Sequence, residues 1–145
     1  MEKYKHTQTG YVIIVAFATV MLLSTYFTII DGAKWTAFSV IVFLGICLIL
    51  CSSLTVVITE DLLKIKFGPG LIRKNFPLNE IASCQIVKNP WYYGWGMHLT
   101  RHGWLYNVSG FMAVEITTKT GKKYRIGTDA PEELENALKQ SFQNG

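Results

Sequence analysis

The chain has 145 residues, half of them hydrophobic, and a net charge of +4 from 14 basic and 10 acidic side chains. That charge is too small and too dispersed for nucleic acid, whose binders cluster Lys and Arg on one face. The apolar residues crowd into the first third, which excludes one large-cored soluble domain and leaves about 90 residues for a single small polar one.

Met1–Gly10 is polar, carries Lys3, Lys5 and His6, and reads as a short tail. Tyr11–Ile30 follows with 20 uncharged residues, then the polar break Asp31-Gly-Ala-Lys34, then Trp35–Ser53 with 19 more. Roughly 20 apolar residues in a helix cross the hydrocarbon core of a bilayer, so each stretch is long enough. A break this short has no room for a soluble element and predicts an antiparallel transmembrane hairpin over 11–53. Its polar residues (Thr19, Ser24, Thr25, Thr28, Thr36, Ser39) are all hydroxyls, and no charge marks an ion or proton path.

Lys3 and Lys5 precede the hairpin, Lys34 sits in its break, and Lys64, Lys66 and Arg73 follow. This distribution puts both termini in the cytoplasm of a multi-pass protein of the cell (inner) membrane. The first span is longer than the ~7–15 residues of a signal-peptide core, and no small-x-small cleavage site follows. It reads as retained. Cys47, Cys51 and Cys84 have neither CxxC nor Cys/His zinc spacing, so they read as free thiols in a reducing compartment, with no metal.

From Leu54 the periodicity changes to that of strands. Leu54–Thr59, Leu62–Phe67, Leu71–Phe76, Ile81–Val87, Ala113–Thr118 and Lys123–Ile126 alternate or run apolar, broken by turn signals such as Gly68-Pro-Gly70 and Lys119-Thr-Gly-Lys122. Asp129 with Glu132 resembles a capping box, Pro131 suits a first turn, and Leu134, Ala137, Leu138 and Phe142 share a helical face. These elements predict about seven short strands and one terminal amphipathic helix. That is a mostly-β bent sheet or partly open barrel capped by the helix, spanning 54–145.

Between them lies Asn89–Gly110, dense in aromatics and glycine. Trp91, Tyr92, Tyr93, Trp95, Trp104 and Tyr106 either pack a second small core or form a partner, ligand or membrane-interface surface. Trp91-Tyr-Tyr-Gly-Trp-Gly96, Gly103–Gly110 and Arg125–Pro131 resemble the bacterial pleckstrin-homology-like domains of small membrane proteins. Thr59–Lys66 and Phe76–Ile81 are similar to that family's opening strands. The resemblance covers roughly Leu54 to Gln140 and implies a bent two-sheet barrel with a helical cap. It implies no established activity; members are thought to act as assembly or stress-related membrane modules.

Lys64, Lys66, Arg73 and Lys74 form a basic group able to face anionic lipid, although Glu60-Asp61 in the first strand turn would repel a phosphoinositide. No catalytic constellation is present in the sequence. His98 and His102 lie in strand-like surroundings, Ser109 lacks the frame of a nucleophile elbow, Gly94 and Gly96 lack a third glycine, and Glu80 and Glu115 have no carboxylate neighbour. The sequence therefore predicts a protein that is not an enzyme and needs no cofactor. A transmembrane hairpin carries a pleckstrin-homology-like domain that docks a protein partner, a second copy or a membrane complex. Anionic-lipid or small-molecule sensing is the alternative.

Overall fold

The computed structural model describes residues 1–32 and 35–143, so Ala33 and Lys34 of the expected break lie outside the described residues. The first element is a strand and not a tail. In β1 (Tyr4–Thr9), Tyr4, His6 and Gln8 alternate inward. It pairs antiparallel with β2 (Ser53–Ile58), from Tyr4 opposite Ile58 to Thr9 opposite Ser53. Polar partners hold its inner face: Gln8 Nε2 donates to the Ser109 carbonyl at 3.0 Å, and His6 Nε2 bonds the Asp129 carboxylate. Burial, with Glu133 and Asp129 nearby, pushes the Tyr4 hydroxyl up to about 12.

The two apolar helices are thus inserted between paired strands. Helix α1 (Tyr11–Asp31) has 21 residues and is long and apolar enough to cross a membrane. Helix α2 (Trp35–Cys51) is shorter, 17 residues, because the chain turns into β2 at Ser53. The helices pack on each other, and a Cβ on Gly45 would lie 3.9 Å from the Met21 methyl. Thr19, Thr25, Thr28 and Ser39 donate back to the carbonyl four residues earlier, which removes the cost of carrying hydroxyls on apolar helices.

The first sheet runs β1-β2-β3-β4, with β3 (Leu62–Phe67) and β4 (Ile72–Pro77) closed by the Gly68–Gly70 turn. The second comprises β5 (Ile81–Lys88), β6 (Gly96–Thr100), β7 (Gly103–Asn107), β8 (Met112–Thr118) and β9 (Lys123–Gly127). Its order is β5-β8-β9-β7-β6, and only the β7–β9 pair is parallel. The described residues therefore hold nine strands, two more than the pattern suggests, plus α3 (Pro131–Gln143). Leu54, Ile58, Leu63 and Ile65 meet Val114, Ile116 and Ile126 in one core, which Leu134 and Leu138 of α3 complete. The expected capping box is not formed: α3 begins at Pro131, so Ala130 and not Asp129 holds the N-cap position, and Asp129 bonds His6.

The helix pair leaves the domain from a defined end. Gly10 N–H donates to the Ser52 carbonyl at 2.7 Å, and Gly68 N–H to Ser53 at 2.9 Å. Gly68 lies on the Ile49 and Leu50 carbonyls with no room for a Cβ. A Cβ on Gly10 would sit 2.9 Å from the Val108 carbonyl, so the β7–β8 turn borders the exit as well. Ile13 at the base of α1 is buried in the domain core, which joins the stalk firmly to the sheets.

Candidate interaction surfaces

The aromatic stretch starts from a buried ion pair. Glu115 and Arg125 face each other in the β8–β9 register. Arg125 Nε donates to Glu115 Oε2 at 2.9 Å and Arg125 Nη1 to Asn89 Oδ1 at 3.0 Å; Lys123 Nζ reaches Glu115 Oε1 at 3.3 Å. Burial alone would raise the Glu115 carboxyl. The hydrogen bonds and charges of Arg125 and Lys123 outweigh that and hold it below its usual value. Asn89 is thereby fixed, and its N–H donates to the Phe111 carbonyl at 2.7 Å. Sequence reading missed this pair, although counting back from the Lys119–Lys122 turn puts the two residues opposite each other.

From Asn89 the chain makes a single 3-10 turn, Trp91–Tyr93, that presents Trp91 (78% exposed) and Tyr92 (68%) to the outside. Tyr93 is half-buried, its hydroxyl 2.6 Å from His102 Nδ1. Trp95 is half-buried too, with its ring on Phe111 and its Nε1 donating to the Gly110 carbonyl at 3.3 Å. Both ends of the turn are thus tied to Gly110–Phe111, beside the helix exit.

Tyr106 does not belong to a surface. Its register opposite Ile126 puts it on the core face, buried against Phe67 and Phe76. Trp104 has the same parity but lies past the core edge and is 41% exposed. Across the β6–β7 pair, Leu99 faces Trp104 and Met97 faces Tyr106, with Met97 46% and Leu99 66% exposed. Met97, Leu99 and Trp104 therefore form an uncovered apolar strip, of which only Trp104 stands out in the sequence. The hairpin that carries it is held close to β9, since Gly103 (φ 96) leaves no room for a side chain against the Lys123 carbonyl.

The expected basic group is rearranged. Lys66 pairs with Arg73 and Lys64 with Asn75, so Lys64, Lys66 and Arg73 share the outward face. Lys74 pairs with Ile65 on the opposite face and lies over the Phe76 ring at 5.8 Å. Neighbours along a strand point to opposite faces, so Lys74 cannot act with Arg73. Lys5 takes its place, on the same face and in the same cross-strand row as Lys64, with Val57 between them. No carboxylate shares this outward face of β1–β4.

His98 and His102 belong to no group of metal-ligating residues among those described. Cys47, Cys51 and Cys84 are free. An open cleft of about 560 Å³, lined by Glu60, Asp61, Pro77 and Phe142 among others, touches none of the aromatic stretch. No family model, curated protein or solved structure matches the chain.

Proposed function

We propose that the protein is a non-catalytic, membrane-anchored docking module. Helices α1 and α2 act as a two-span hairpin, and the two sheets with α3 form a bent, pleckstrin-homology-like barrel on the cytoplasmic face. Strand pairing supports the two-span reading. β1 and β2 are neighbours in one sheet, so a single crossing would put paired strands on opposite sides of the bilayer. Either both helices cross or neither does. At 1.5 Å per residue α2 is about 25 Å long, the short end of what spans a bilayer. Leu71, Phe111 and Met112, exposed around the helix exit, fit a domain seated against the lipid surface.

The observation that carries the docking reading is the Met97–Leu99–Trp104 strip, large apolar side chains left uncovered on a well-packed domain. A tryptophan in such a strip is the kind of residue on which binding energy concentrates, with losses of about 2 kcal/mol or more on truncation. In full-length protein isolated from its own membrane, the double substitution Leu99→Ala and Trp104→Ala is expected to remove a stoichiometric protein partner. Lys64→Glu is expected to leave that partner in place. Undiminished recovery from the double variant, with thermal unfolding unchanged, would overturn this reading.

The outward cations favour a second role, attraction to anionic lipid. Lys5, Lys64, Lys66 and Arg73 are worth about 1 kcal/mol each when close to such a surface. Lysine acetylation footprints of the intact protein should show Lys5, Lys64 and Lys66 reacting more slowly in phosphatidylglycerol nanodiscs than in phosphatidylcholine ones, with salt erasing the difference. Equal rates in both lipids would remove the lipid role.

A further inference from the structure

The two sheets have four edges, and three of them are guarded. β1 carries Lys5, while β4 carries Arg73, Lys74 and Pro77. β5 is broken by a bulge between Ile81 and Ser83 and packed by α3. These are the devices by which sheets prevent further strand pairing: charge, proline, irregularity and cover. β6 has no charge, proline or bulge, and Tyr93 of the preceding turn reaches past it only to His102 at its end. Gly96-Met-His-Leu-Thr100 contains no Lys, Arg, Asp, Glu or Pro, its register with β7 is unbroken, and among the described residues it pairs with β7 alone. Met97 and Leu99, the exposed part of the strip, stand on this unguarded edge.

We propose that β6 is the docking edge, where an extended segment of a partner protein adds to the second sheet as a further strand. This rests on the docking reading above and specifies its geometry. The free main-chain groups of β6 supply the ladder, and Met97 and Leu99 receive apolar side chains at alternate positions of the segment. Charge indicates the rest of its chemistry. Between Glu80 and Glu115 the sequence has no acidic residue, whereas Arg101 and His102 form the turn that ends β6. The segment therefore alternates apolar residues and carries a carboxylate where it passes Arg101.

A second copy of the chain does not fit. β6 begins opposite Asn107, next to the Val108 turn at the helix exit, and runs away from it. Antiparallel pairing of two such edges would send the second stalk out of the far side of the assembly, away from the shared bilayer. A two-fold axis along the strands would set the two apolar faces on opposite sides of the sheet. The occupant is a different polypeptide.

The test is selection of a displayed library of random twelve-residue peptides on the full-length protein in nanodiscs, with the Met97→Lys/Leu99→Lys variant as counter-selection. Both positions are exposed on an edge, where lysine is tolerated, and an unchanged melting curve checks this. The expected winners alternate apolar residues, contain Asp or Glu, and lose at least about tenfold in affinity on the lysine variant. N-methylation of their backbone at alternate positions should weaken binding about fivefold or more per site in one parity only, since just one parity faces β6. Winners indifferent to methylation in both parities would overturn strand addition while leaving the docking surface in place. Failure to enrich any peptide over the lysine variant would overturn both.

Discussion

Glu115→Ala is expected to cost the domain about 3–5 kcal/mol, a large share of the roughly 5–15 kcal/mol that holds a domain folded. The loss comes from what stays behind. Arg125, buried between β7 and β8, would keep its charge and lose the carboxylate that compensates it. The double variant Glu115→Leu/Arg125→Met removes both charges and should recover most of that loss in chemical denaturation. It also strips Asn89 of the donor that fixes the aromatic turn. Trp91 and Trp95 fluorescence should therefore change in the double variant even where the fold is restored.

The same carboxylate makes stability depend on pH. Its folded value lies below the unfolded value of about 4.3, so its contribution is fully present above that pH. As pH falls through the folded value, the contribution is lost. Glu115→Gln should flatten the stability profile on the acid side of about pH 4.3, and a variant profile parallel to the wild-type one would show that the ionised carboxylate adds no net stability. A double variant as unstable as Glu115→Ala would mean that packing at these positions, and not charge, is what the fold requires.

What could be read in the sequence was what local spacing decides. Six strands, the Lys119–Lys122 hairpin and α3 follow from alternation, turn glycines and helical spacing, because each is settled by neighbours along the chain. β1 was missed because its inner face is Tyr4, His6 and Gln8. Their partners, Asp129 and Ser109, lie more than a hundred residues away, so no hydrophobic alternation announces the strand. The separation of Tyr106 from Trp104 depends on where the first sheet ends, which no window of sequence contains. Lys74 is different, since strand parity alone sets it apart from Arg73. The bareness of β6 is visible in its residues, but its position at an edge comes only from the strand order.

Replacing Tyr11–Cys51 with Asn-Gly is expected to give a soluble, folded domain, whereas a chain that simply begins at Ser53 is expected to aggregate. Thr9 already faces Ser53, and Gly10 is hydrogen-bonded to Ser52. The two apolar helices thus occupy the position of the loop in a β-hairpin, and a two-residue type I′ turn joins the same strands. The exchange forfeits the burial of Ile13, about 1.5–3 kcal/mol, and some cover from Phe17 and Cys51. Deleting β1 costs more. It removes the whole ladder from β2 together with the Gln8–Ser109 and His6–Asp129 contacts, and it exposes an edge rich in Val and Ile. Size-exclusion chromatography and far-ultraviolet circular dichroism of the two chains distinguish these outcomes. A monomeric, cooperatively melting chain without β1 would show that the strand is dispensable and that the domain begins after the helices. A folded turn-closed chain beside an aggregated truncation would establish that the helical hairpin interrupts the domain, with Tyr4–Thr9 an integral strand of its first sheet.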